Sequence, residues 1–348
     1  MSWSITHSWQ ADDKLSCIVS AGNDLVVCSG LELQLLDVDA NLRWRQEMPF
    51  LIHAAAFQMG KIGVLCGHGF FVLNSSDGGR VNEGRSTRGG FSDILARPGG
   101  GWILSCREGN LHLFNEEGRG LRRLASGKVR RLLGWFDREH LLWQDDGGRL
   151  RCARLAKQDS QRVLEERIWS WVSRMFDGRC LLQSSDGSLW EGIPHPFGWD
   201  LIEKIQDASI EPLSAIRSGD GWWLLGIDGV MTNISGIDTS ETFETTALGK
   251  DLGHLLVGLG PDTMVTANRQ GLLRYWNAPH LAALKHSLIQ KMVADAKVAS
   301  DWDERRRIFQ RARTAEEEGR VSLAINLYQT LGRKDDVKRL LTREREDT

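Results

Sequence analysis

No stretch of the 348-residue chain approaches eighteen consecutive apolar residues, the length a helix needs to cross a bilayer. The opening MSWSITHSWQADDK turns polar within a few residues and has none of the zones of a secretory leader, so a cytoplasmic, untargeted protein is expected. Cysteine is scarce. The six, at positions 17, 28, 66, 106, 152 and 180, form no C-x-x-C pair and follow no zinc-ligand spacing. Catalytic signatures are missing too: there is no G-x-S-x-G, G-x-x-x-x-G-K-[ST], H-E-x-x-H or EF-hand loop. The nine histidines fall at no metal-ligand spacing, and no cofactor or metal is expected. A formal charge of -2 points to no class of partner.

Hydrophobic residues at 41% and charged residues at 26% describe a folded globular chain. Leu181 to Trp190, LLQSSDGSLW, is the clearest copy of a repeated unit. It reads as two short strands joined by a tight turn at Asp186-Gly187, where positive φ is required. The corresponding glycines are Gly30, Gly69, Gly109, Gly147, Gly187, Gly229 and Gly271, spaced by 39, 40, 38, 40, 42 and 42 residues. Seven copies at a four-strand period predict a mainly β, seven-bladed propeller. Six blades show a full set of strands, the sixth ending on Glu241 to Ala247. The seventh stops after Leu272 to Trp276, one strand short, whereas Trp3 to Trp9 is a strand without a blade. The N-terminal strand is therefore expected to close the ring over residues 1–277, leaving no open edge. Cys28, Cys66 and Cys106 share a phase ahead of the repeat glycines and read as buried small residues. The adjacent Trp222 and Trp223 must face opposite sides of their sheet.

An apolar residue followed by Asp or Asn recurs as Leu36-Asp37, Leu73-Asn74, Phe114-Asn115 and Trp276-Asn277. These pairs resemble a degenerate form of the signature of WD-repeat and quinoprotein-like propellers. The Gly-His start of strict WD repeats is absent, and blades four to six lack the terminal Asp. The resemblance implies a fold and leaves the ligand open.

After Asn277 the apolar period changes from two to about 3.6, which predicts an α-helical extension over 278–348. Leu281, Leu284, Leu288, Met292 and Ala296 mark one face of a first helix. A second runs from Ser300 to Gly319, a third over Val321 to Leu331 and a fourth over Asp335 to Arg343. Gly319 to Tyr328, GRVSLAINLY, resembles the turn and second helix of a tetratricopeptide unit. The layout of propeller plus helices is similar to coat-type scaffolds and to accessory propellers of MoxR-type ATPase and von Willebrand A-domain systems. Both resemblances imply protein partners, the second an ATPase-linked complex.

Lys and Arg outnumber Asp and Glu by 18 to 12 over residues 80–167, whereas over 168–277 they are outnumbered 14 to 7. Blades three and four thus form a basic wedge, densest at Arg119, Arg122, Arg123, Lys128, Arg130 and Arg131. With Leu327, Tyr328 and Leu331 of the helical extension, these are the candidate partner-binding residues. The function expected is a non-catalytic interaction scaffold or adaptor subunit. Two alternatives stand beside it. One is a propeller enzyme with a channel site built from several blades, for which His53 and His254 in first strands are the candidates. The other is nucleic-acid binding through the basic wedge. Asp145-Asp146-Gly147-Gly148 resembles a calcium loop but lacks the further oxygen ligands that ion needs, so a turn is expected.

Overall fold

A computed structural model describes residues 3–82, 84–137, 139–155, 161–207, 210–219, 221–234, 253–281, 308–309, 311–316, 321–331 and 333–346. The chain forms two compact units, Met1–Ala282 and Ala283–Thr348. The first is a seven-bladed β-propeller. Blade one comprises β2 (Leu15–Ala21), β3 (Asp24–Ser29), β4 (Glu32–Leu36) and β5 (Leu42–Glu47), and blade two β6 (Ile52–Gln58), β7 (Lys61–Cys66), β8 (Gly69–Asn74) and β9 (Arg85–Ser86). Blade three is β10 (Phe91–Ala96), β11 (Trp102–Cys106), β12 (Asn110–Phe114) and β13 (Gly120–Ala125); blade four is β14 (Val129–Trp135), β15 (His140–Asp145), β16 (Leu150–Arg154) and β17 (Arg162–Glu165). Blade five is β18 (Trp169–Val172), β19 (Cys180–Ser184), β20 (Ser188–His195) and β21 (Gly198–Asp207). Blade six contributes β22 (Pro212–Ser218), β23 (Gly221–Gly226) and β24 (Met231–Ile234), and the strand expected at Glu241 to Ala247 lies outside the described residues. Each blade pairs its strands in sequence order, antiparallel.

Blade seven is different. Its strands β25 (Leu255–Gly258), β26 (Thr263–Ala267) and β27 (Leu272–Asn277) are completed by β1 (Ser4–Gln10). Ser4 pairs with Asn277 and Gln10 with Leu272. The ring is closed by its own N-terminal strand, as the orphan alternation at Trp3 to Trp9 predicts.

A strand whose two faces are both covered cannot alternate polar with apolar residues, and the second strands of the blades are buried almost throughout. Among the described residues the ring has seven apolar clusters, one at each junction between neighbouring blades. Trp222 lies in the cluster between blades five and six and Trp223 in the one between six and seven, the opposite orientation that period two demands. Cys28, Cys66 and Cys106 are buried in β3, β7 and β11.

The hairpin turns correct two details of the repeat. The left-handed glycine is Gly67 in blade two and Gly148 in blade four, not Gly69 and Gly147. At Asp186-Gly187 only Gly187 has positive φ, +87°, and Gly187 N donates to Ser184 O. This is a three-residue loop in which a tight turn is followed by a left-handed glycine; the two-residue turn read from the sequence is one residue too short. Asp186 accepts the Ser184 hydroxyl and the Ser188 amide, which together pull its carboxyl down to about 2. The Asp and Asn of the degenerate signature have the same physical role at the other end of the blade. Asp37 Oδ1 accepts the amides of Asp39 and Asn41, and Asn115 Oδ1 those of Glu117 and Arg119, so both shape the turn into the fourth strand.

In the second unit residues 311–316 are helical, and α1 (Val321–Thr330) and α2 (Lys334–Glu346) follow. Ala312, Ala315, Ala324, Ile325, Tyr328 and Leu340 form its core. The Tyr328 hydroxyl donates to Glu316, which also accepts from Nη1 and Nη2 of Arg339. The helix expected from Leu284 to Ala296 lies outside the described residues. Pro279–Leu281 is a 3-10 turn with Leu281 buried.

The central channel as candidate functional site

In blades one to six the pairing of first and second strands slips near the start of the first strand, between Leu15 and Cys17, Ile52 and Ala54, Phe91 and Asp93, Val129 and Arg131, Trp169 and Trp171, and Pro212 and Ser214, and in blade four it slips again between Leu132 and Gly134. Each slip is a β-bulge, which inserts a residue and re-aims its side chain. The residues set out of line are Ser16, His53, Ser92, Arg130, Ser170 and Leu213. Short ones bond within their own blade: Ser16, Ser92 and Ser170 hydroxyls donate to the carbonyls of Cys28, Ser105 and Gln183 at 3.3, 3.3 and 3.0 Å. Long ones reach the next blade. His53 Nε2 lies 3.1 Å from Phe91 O, and Arg130 Nη1 donates to Ser170 O at 3.0 Å. His254, one residue before β25, repeats the arrangement with Leu15 O at 3.0 Å.

His53 and His254 therefore tie neighbouring blades together. Burial pushes the His53 imidazole below its usual range, the Phe91 carbonyl opposes this, and the charge of Arg107 adds to the lowering. Two glutamines work alongside them in the second strands. Gln144 Nε2 donates to Trp169 O at 2.8 Å and Gln183 Nε2 to Ile210 O at 2.7 Å. Between blades five and six an ionic tie is added: the fully buried Glu191 lies 3.3 Å from Arg179 and 3.6 Å from Arg217, and accepts the Trp222 indole N–H at 3.1 Å. A carboxylate can be held in such a place only when it is paired and hydrogen-bonded.

The residue after the first bulge of blades one to six, and Leu255 at the start of β25 in blade seven, line a central channel of about 870 Å³. In blades one, two and seven these residues are Cys17, Ala54 and Leu255, in keeping with the apolar first strands read from the sequence. Blades three to five depart from that reading and present Asp93, Arg131 and Trp171. Asp93 Oδ1 accepts Arg174 Nη2 and the Ile94 amide, both at 2.8 Å, while Oδ2 accepts the Leu132 amide at 2.8 Å. One carboxylate thus joins blades three, four and five. Arg131 Nη1 donates to Val172 O at 3.3 Å, and its guanidinium carbon lies 5.9 Å from the centre of the Trp171 ring. Burial lowers the Arg131 guanidinium from its ordinary value; Asp93 counteracts this, and the charges of Arg174 and Arg130 reinforce it.

The basic wedge is not one patch. Arg119 sits in the turn before β13, paired with Glu117 at 3.2 Å. Arg122 and Arg123 are on β13, Arg123 lying 3.9 Å from Glu108. Lys128 is beyond the other end of that strand, which is itself about 20 Å long at ~3.3 Å per residue, and lines a cleft of about 830 Å³ with Asp145, Arg151 and Gln161. There Asp145 accepts the Arg149 amide at 2.9 Å and Arg151 Nε at 2.6 Å, so the sequence that looked like a calcium loop is a turn. Arg130 and Arg131 alone enter the channel, where they meet Arg174. In the helical unit Tyr328 is 2% exposed and belongs to the core, which removes it as a surface anchor. Leu327 and Leu331 are half-buried, and among the described residues of that unit Leu323 and Leu341 are exposed large apolar ones.

Asp93, Trp171 and Arg174 escaped the sequence reading. The first two were findable, because aligning the seven first strands on their starts places Asp93, Arg131 and Trp171 in one register.

No family model and no curated protein matches the chain. Among solved structures it is similar to the Cps50 (Swd1) β-propeller domain of Myceliophteria thermophila, at a TM-score of 0.67 and 12% identity over 80% of this chain and 100% of that one. It is also similar to BamB from Moraxella catarrhalis, at a TM-score of 0.54 and 13% identity, again over 80% of this chain and 100% of that one. At such identities the likeness is one of fold, and this chain is a seven-bladed β-propeller.

Proposed function

We propose that the protein is a non-catalytic scaffold or adaptor subunit whose propeller, residues 1–277, and helical extension, 278–348, hold protein partners. The observation that carries this reading is the loop joining β5 to β6, where Phe50 and Leu51 are 56% and 68% exposed. Beside them lies a groove of about 590 Å³ lined by Phe50, His68, Phe71 and Ser86. Adjacent large apolar side chains on an exposed loop of a rigid ring have the character of interface anchors. Six unpaired thiols suit a reducing compartment and support a cytoplasmic setting. The scattering of the basic residues over two ends and the channel disfavours nucleic acid, which takes a contiguous basic face. An ATPase-linked assembly is the specific form implied by the layout resemblance.

Partners captured by the full chain from its native host supply the test. Phe50→Glu with Leu51→Glu should reduce capture at least tenfold, since losing a buried anchor costs about 2 kcal/mol or more. Arg122→Glu with Arg123→Glu should weaken the same capture mainly at low salt. Removal of residues 301–348 should lose those partners held by the helices. Undiminished capture by all three variants, or turnover of a metabolite by the ring, would overturn the reading.

A further inference from the structure

The channel lining is charged unevenly. It includes three guanidinium groups, Arg130, Arg131 and Arg174, against the carboxylates of Asp93 and Asp177. Asp177 lies in the turn between β18 and β19, and Asp93 is already occupied by Arg174 and two backbone amides. Among the described residues neither Arg130 nor Arg131 has a carboxylate within 4.0 Å. Their contacts given above are to carbonyl oxygens and to one aromatic ring. The neighbouring Trp171 indole N–H is buried and has no acceptor. Two cations with no carboxylate in contact, in a cavity walled by apolar strands, raise the local concentration of anions, and guanidinium groups suit the oxygens of carboxylate and phosphoryl groups.

We propose that the channel is a binding site for an oxyanion, a carboxylate or a phosphoryl group, held by Arg131 and Arg130 at the level of Trp171 with Arg174 fixed behind them by Asp93. The site is independent of the docking of protein partners, and its failure would leave that reading standing. Arg174 is a positioning residue, because its guanidinium is committed to Asp93.

The arginine reagent phenylglyoxal, read out peptide by peptide by mass spectrometry on the full chain, tests this without requiring a variant to fold. Arg131 should react in chloride buffer and be protected by inorganic phosphate at equal ionic strength. At ten times the dissociation constant its rate should fall about tenfold, because only the unliganded fraction reacts. Arg119, exposed in a turn, serves as the internal control and should react equally in both buffers. Acetate in place of phosphate distinguishes the two sources of the same chemistry: protection by both marks a general oxyanion site, protection by one alone identifies the ligand class. In a second measurement phosphate should raise the melting temperature of the native chain and leave that of Arg131→Gln unchanged. Equal protection by chloride overturns the proposal. So does an Arg131 that fails to react even without phosphate, since a channel closed to the reagent is closed to the anion.

Discussion

His53 shows how a side chain that looks chemically poised is used structurally. A lone histidine in a first strand could line a channel and act on a ligand; instead the bulge turns it toward Phe91 O. Its imidazole and that of His112 are both held below the ordinary value of 6.5, in each case chiefly by burial, and for His112 also by the charge of Arg123. A lowered folded-state value means that below pH 6.5 the unfolded chain binds the proton more readily. Stability is therefore full above pH 6.5 and is lost as the pH falls through that value toward the lowered ones, at up to about 1.4 kcal/mol per pH unit for each histidine. Urea unfolding between pH 8 and pH 5 should show this decline, and His53→Gln with His112→Gln should flatten it even though the variant starts less stable. An unchanged slope would show that other groups carry the pH dependence.

The strand β1 makes the clearest case for an element placed by what it completes. Deleting residues 1–10 removes the partner of Leu272–Asn277 and opens an edge that other chains can pair with. It also removes Trp3, which is 7% exposed and packs edge-on against Trp223 at 5.7 Å. Trp3→Ala alone should cost about 3 to 5 kcal/mol, visible as a lower melting temperature, and the deletion should add aggregation. A melting temperature unchanged by either would mean that the ring closes without this strand. The pairing was legible because a missing strand at one end and a spare one at the other admit few arrangements. The bulges were not, since a one-residue slip leaves no mark in composition and shows only against the partner strand.

Over the molecule as a whole, burial is distributed among seven junctions, so the ring should open cooperatively and not blade by blade. The thiols report on this. Cys28, Cys66, Cys106, Cys152 and Cys180 are buried and Cys17 is half-buried at the channel. Burial holds the Cys66 thiol up at about 11 and raises Cys180 further, which suppresses the reactive thiolate. A thiol reagent should label at most Cys17 in the native protein and the other five together on denaturation. Stepwise labelling across the denaturant range would instead show that blades open separately.

Repeat number, blade boundaries and the closing strand could all be read from the chain because they follow from local turns and apolar alternation, each set within some ten residues. Membership of the channel was legible only as the shared register of Asp93, Arg131 and Trp171; that this register faces inward, and what the neighbouring blades place beside it, depends on the bulges and on tertiary packing. Arg131 and Arg174 are 43 residues apart, and Asp93 lies 81 residues from Arg174. The basic wedge that composition suggested is divided by the same geometry: a strand carries its two ends to opposite faces of the ring, so residues close in sequence, such as Arg119 and Lys128, come to lie far apart. Tyr328, apolar and periodic, was legible as a helical residue, but only the packing of Glu316 and Arg339 around it decided that it faces the core.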